Sequence, residues 1–209
     1  MGNIFRPDSP LMRFMMLLTN LVILNILWLA GCIPVVTAGA STVAMYTVLL
    51  KYIGGKDDAV LKPFLRAFRD NFRVTTPLWL INLLIGAVLA AEMFYLYVDS
   101  SLWLKIIFGV LLFVYSAATS YLYPLLARHQ TTAKAAAFNS FALAVRHLLS
   151  SVCVVVLNAL PAVLMIAFTQ IFWKTILVWT LIGFSLIAYL DLKILLPVFR
   201  KYEPSPEEK

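Results

Sequence analysis

LTNLVILNILWLAGCIPVVTAGASTVAMY, Leu18 to Tyr46, decides how the chain folds. No charged side chain occurs from Leu18 through Leu49, a run of 32 residues, and Pro34 interrupts it midway. One helix of that length is too long for a bilayer, since about 20 apolar residues cross ~30 Å of hydrocarbon. Two helices meeting at Pro34 fit better. Their turn would gather Asn25, Trp28, Thr37, Ser41 and Tyr46 near one membrane face.

Composition extends this reading to the whole chain. At 62% hydrophobic and 13% charged residues, with mean hydropathy +0.90, the protein falls outside soluble norms. Charge clusters between long apolar runs, so the runs are spans and the charged parts are loops. The net charge of +7 is a sidedness signal, because no basic stretch lacks apolar periodicity as a phosphate-tracking arm would. A lipid bilayer is therefore the expected partner, and nucleic acid is not. No segment is polar and long enough for a soluble domain, so residues 1–209 form one transmembrane domain.

The fold class is all-α, because hydrocarbon offers no partner for open backbone groups. Six spans are expected, at about 11–33, 35–53, 74–98, 102–127, 149–172 and 175–198. With the termini in the cytoplasm, 15 of the 17 Lys and Arg residues fall inside, all but Lys105 and Lys174. That satisfies the positive-inside rule. The competing map makes 35–53 re-entrant and puts the N-terminus outside, which divides the same residues 13 to 4.

Between spans two and three, KDDAVLKPFLRAFRDNFR (56–73) places Leu61, Phe64, Leu65, Phe68 and Phe72 on one helical face. Lys62, Arg66, Arg69 and Arg73 fill the other, as in a helix lying in the headgroup layer. KAAAFNSFALAVRHLLS (134–150) repeats the design more weakly, with Phe138, Phe141, Val145, Leu148 and Leu149 together. Interfacial helices are expected at about 59–73 and 134–148. Residues 59–127 and 134–198 then form a parallel internal repeat of interfacial helix plus helical hairpin. The final EPSPEEK is a polar tail expected to be disordered.

Ionisable groups inside spans are costly and mark functional candidates. Glu92 and Asp191 qualify. Glu92 reads either as a carboxylate in an outward cavity or as one reaching the headgroups. Asp191, two residues before Lys193, is expected to pair with a cation from the basic loops, the competing reading being a proton or ion relay. Asn25, Trp28, Thr37, Ser41, Tyr46 and Glu92 pool into a candidate substrate site, an indole beside amides, hydroxyls and a carboxylate. That set suits a sugar, with its apolar C–H faces and polar rim. Trp103 and Trp173 read as an aromatic belt. Gly39, Ala40 and Ala44 offer close helix approach.

Neither Cys32 nor Cys153 has disulfide or metal spacing. His129 and His147 have no nearby carboxylate pair or ligand set. No phosphate loop appears, so no cofactor, metal or catalytic residue is expected.

Asn25-Ile-Leu-Trp28, Ile33-Pro34-Val35-Val36-Thr37-Ala38-Gly39-Ala40, Ala44-Met45-Tyr46 and Phe68-Arg69-Asp70-Asn71-Phe72 together resemble the YesL family. These are small bacterial integral membrane proteins. The resemblance implies a multi-pass protein of the bacterial cytoplasmic membrane, whose family genes often accompany carbohydrate ABC importers. The expected function is therefore carbohydrate (oligosaccharide) uptake, as a transporter or transporter component. Sugars and carbohydrate ABC importer subunits are the expected partners. The competing reading is an accessory or regulatory protein that binds an ABC importer or sensor without moving solute itself.

Overall fold

The computed structural model describes residues 10–55, 59–98, 101–128 and 132–202. The expectations for the extreme N-terminus, the tail from 203 and His129 lie outside that set. Helix α1 is Pro10–Cys32, a single 3-10 turn occupies Val35–Thr37, and α2 is Ala38–Ile53. Then come α3 (Leu61–Val98), α4 (Leu102–Arg128), α5 (Ala133–Arg146), α6 (Leu148–Ala167) and α7 (Thr169–Lys174). The last rod is a short α8 (Ile176–Val178), a π segment (Trp179–Gly183) and α9 (Phe184–Arg200).

Six helical stretches are long and apolar enough to span: Leu11–Cys32, Val35–Ile53, Leu61–Leu96, Leu102–Arg128, Leu148–Ala167 and Ile176–Arg200. This is an all-α, multi-pass membrane protein. Half of the span window is buried in Val35–Ile53 and in Ile176–Arg200, against 6–17% in the other four. Those two helices are therefore the axis, and the others wrap them and face lipid.

Pro34 does end the first helix, and side chains fix the turn that follows. Thr37 Oγ1 donates to the Pro34 and Gly31 carbonyls, and Ser41 Oγ donates to the Trp28 carbonyl at 2.9 Å. The α1–α2 hairpin is thus stitched by hydroxyls that reach carbonyls freed at the helix end. Gly39 lets α3 in close, because a Cβ there would sit 2.5 Å from Trp79 Cβ. Trp79 Nε1 also donates to the Val35 carbonyl at 2.7 Å, tying α3 to the turn.

The first interfacial helix is not a separate element. Its expected boundary at 73/74 falls inside α3, one unbroken helix of 38 residues. That is roughly 57 Å at 1.5 Å per residue, well beyond the hydrocarbon thickness. Pro77 denies the Arg73 carbonyl its helical partner, yet the helix runs through it. Packing explains the continuity: Phe64 and Ala67 are buried and Phe68 joins the same core, which holds this basic segment against α2. Leu61, Leu65 and Phe72 stay exposed toward lipid.

The second copy does break. His147, at φ −120° and ψ 58°, separates α5 from α6. Ser151 Oγ donates to the Ala144 carbonyl at 2.7 Å across that corner. Phe138, Phe141, Leu148 and Leu149 are exposed as an interfacial face requires, while Ala136, Leu143 and Ala144 are buried. The two units thus differ at this hinge: continuous in α3, broken between α5 and α6.

Candidate functional site

A cavity of about 480 Å³ lies between α1, α2, α3, α4, α6 and α9. It occupies the half of the bundle nearer the Pro34 turn, with Ala38 at the start of α2 and Trp28 near the end of α1 on its wall. Its size is in the range of small-molecule sites, ~300–1,000 Å³.

One wall is aromatic. The Trp28 and Phe184 rings lie against each other, tilted by 35° with centroids 4.9 Å apart, and Trp79 meets Tyr123 at 6.4 Å. The π segment positions Phe184. A π turn inserts one residue and disrupts the ordinary ladder of backbone bonds, and Asn25 fills the gap. Its Nδ2 donates to the Trp179 and Thr180 carbonyls at 3.1 and 2.7 Å, and its Oδ1 accepts the Ser185 N–H at 2.8 Å.

Helix α4 contributes a hydroxyl stripe: Tyr115, Ser116, Thr119, Ser120 and Tyr123 all line the cavity. Their spacing puts them on one helical face. Ser120 Oγ donates to the Ser116 carbonyl at 2.8 Å, the usual outlet for a helical hydroxyl, so its lone pairs remain for a guest. Tyr115 OH donates to the Asn82 carbonyl at 2.5 Å. The Tyr123 hydroxyl is buried without a partner.

Tyr46 and Asn158 form the floor. Both reach past it to Asp191, which is fully buried. Asp191 Oδ2 accepts Asn158 Nδ2 at 2.7 Å and Tyr46 OH at 3.1 Å. Its other oxygen, Oδ1, has no partner.

Beyond this layer the bundle is filled by buried Leu122, Leu126 and Leu192. A second cavity of about 410 Å³ then opens at the cationic end, lined by Thr47, Lys51, Arg128, Leu196 and Arg200 among others. Both cavities run along the same three helices, α2, α4 and α9. Among the described residues no three His, Cys, Asp or Glu side chains gather as metal ligands.

Of the six residues expected to form the site, Trp28 and Tyr46 line the cavity. The other four do not. Asn25 is fully buried on the π segment, Ser41 is fully buried against the Trp28 carbonyl, and Thr37 closes the turn. Glu92 is exposed on α3, thirteen residues past Trp79 and so roughly 20 Å along the helix axis. A pocket uniting Asn25, Trp28 and Glu92 is thereby corrected: the first is packed shut and the last lies away.

The expected cation partner of Asp191 is likewise replaced by two neutral donors. The signal for the true wall was available in the spacing of hydroxyls from Tyr115 to Tyr123 on α4. Trp79 carried no comparable mark, since only the Gly39 contact turns it inward.

No curated protein and no solved structure matches the chain. Residues 21–93 hold Asn25, Trp28, Tyr46 and Trp79 but neither the α4 stripe nor Asp191, and they match the family described as a protein of unknown function, DUF624, to which YesL-like proteins belong.

Proposed function

We propose that the cavity binds a neutral, hydroxyl-rich solute of mono- or disaccharide size, and that the protein is a transporter or transporter component for carbohydrate. The carrying observation is one cavity lined by two indole rings and a phenyl ring together with five hydroxyl-bearing residues of α4. Rings stack on the C–H faces of a sugar while hydroxyls and the Asn158 amide meet its rim, the pattern of a few placed polar groups in an apolar pocket. In this reading the termini face the cytoplasm of a bacterial cell, so the Pro34 turn and the cavity face outward. The second cavity is the inner vestibule, and the Tyr46–Asp191–Asn158 layer with its leucines is the barrier between the two. No residue is assigned a catalytic role.

The test is maltose binding and uptake by the full chain in liposomes, read by tryptophan fluorescence and by labelled sugar. Saturable quenching that is lost in Trp28→Ala and Ser116→Ala/Ser120→Ala, but kept in Glu92→Gln, supports the reading. Equal response of all variants, or none from a panel of neutral mono- and disaccharides, sinks it. Sugar binding without uptake, restored to uptake by a co-purified ABC importer, would assign it to the component rather than the autonomous form.

A further inference from the structure

The wall just behind the cavity floor holds a group that solute binding alone does not require. Asp191 is fully buried in the middle of a span. A binding pocket for a neutral sugar is complete without it, and an uncompensated carboxylate inside a membrane is among the most costly groups a bundle can hold.

The neighbours rule out the usual remedy. Asp191 forms no ion pair among the described residues; the bridge found there is Arg66–Asp70, on the exposed surface of α3. From α2 the facing titratable group is Tyr46, and α6 brings Asn158. From α4 it is Tyr123, which also lines the cavity. On α9 itself, Lys193 is exposed, with Nζ 5.4 Å from the centre of the Tyr189 ring. Among the described residues no cation forms an ion pair with Asp191.

A metal ion fits no better. It needs several oxygen lone pairs around it, whereas Tyr46 and Asn158 both direct hydrogens at Asp191. A proton needs one oxygen, and Oδ1 is buried and unpartnered.

We infer that Asp191 is a proton-binding site, and that its proton is coupled to occupancy of the cavity through Tyr46 and Asn158. The coupling half of this rests on the solute-binding reading above; the proton-binding half does not. Both connecting residues have one part on Asp191 and another on the cavity wall. Asn158 spends its two N–H groups on Asp191 Oδ2 and the Val154 carbonyl, which leaves its amide oxygen for a guest hydroxyl. A proton arriving from water in the cavity forms an O–H bond at Oδ1 and cancels the charge. With the charge gone, the hold of Oδ2 on Tyr46 and Asn158 weakens, and both side chains are released toward the solute. Loss of that proton to water at the cationic end restores the bonds. One proton and one positive charge cross per cycle, with no electron transfer.

Two measurements on the full chain in lipid vesicles decide this. Infrared difference spectra over a pH titration, without sugar, are expected to show a protonated-carboxyl C=O band. The band should be absent in Asp191→Asn and retained, displaced, in Asp191→Glu, which keeps the acid if the Asn variant folds poorly. No Asp191-dependent band at any pH overturns the proton site.

With an internal pH dye, external maltose is expected to acidify the lumen of wild-type vesicles, and replacing Na⁺ by choline should change nothing. Asp191→Asn should move maltose without acidification. A Na⁺ requirement overturns the choice of proton, and maltose uptake without acidification in the wild type overturns the coupling while sparing the cavity. Absence of any maltose response, with the carboxyl band present, defeats the cavity reading and the coupling alone.

Discussion

Two buried polar residues, Asn25 and Asp191, sit in spans at comparable burial and have opposite hydrogen-bond balance. Asn25 has both donors and its acceptor engaged, all on the backbone of the π segment and the first turn of α9. Asp191 has one oxygen doubly engaged by side chains and the other empty. A completed set of bonds to backbone fixes geometry and leaves nothing to exchange. An incomplete set beside a cavity can change state when a proton or solute arrives. In a membrane the difference is amplified, because hydrocarbon offers no hydrogen bond to make up the deficit.

Asn25→Leu breaks the comparison most directly. It removes three interhelical bonds worth ~0.6–2 kcal/mol each, so a loss of about 2–5 kcal/mol is expected, read as a lower melting temperature in detergent. Retention of wild-type melting would mean that the π segment stands without Asn25.

Gly39→Leu tests the α2–α3 approach that brings Trp79 to the cavity. Its Cβ would meet Trp79 Cβ at 2.5 Å and the Thr75 carbonyl at 3.1 Å, so a cost of ~1–3 kcal/mol from overpacking is expected. A crosslink between cysteines placed on α2 and α3 should weaken in step.

Asp191→Asn is expected to change stability by less than about 1 kcal/mol, because it replaces an uncompensated buried charge with a neutral group of the same shape. If it destabilises as much as Asn25→Leu, Asp191 belongs with Asn25 as a structural residue. Trp28→Ala should weaken maltose binding about tenfold, which corresponds to ~1.4 kcal/mol. The smallest effect belongs to Glu92→Gln, expected within ±0.5 kcal/mol for an exposed position away from such features. A large effect there would restore Glu92 to the site.

Much of the architecture was legible because it depends on quantities that a sequence carries locally. The uncharged run and Pro34 gave the first hairpin, and a helix long and apolar enough to span occurs near each of the six expected positions, the third starting at Leu61 instead of 74. The exposed basic face of Lys62, Arg66, Arg69 and Arg73 followed from helical periodicity. What periodicity could not supply was the continuity of α3 through residues 73 and 74. A helix that lies on the membrane and one that enters it share a local pattern, and only the burial of Phe64 and Phe68 against α2 joins them.

The candidate site was half legible. Trp28 and Tyr46 were singled out for their chemistry, and both line the cavity. Asn25, Thr37 and Ser41 were singled out for the same chemistry and are consumed by backbone carbonyls. Residue type states which bonds a side chain can make, but not which partner reaches it first. That is why the α4 stripe, whose members are individually unremarkable Ser, Thr and Tyr residues, lines the cavity while the more conspicuous Glu92 carboxylate lies away from it.

The order of apolar and charged residues by itself determined that this chain crosses a membrane as helices, where it turns, and which end of the bundle is cationic. Each of those follows from transfer free energy summed along a local segment. Only the tertiary structure decided that Asn25 serves the fold while Asp191 stands half-bonded behind a cavity. The reason is that satisfaction of a buried polar group is set by atoms more than a hundred residues away in the chain, brought to 3.1 Å by packing.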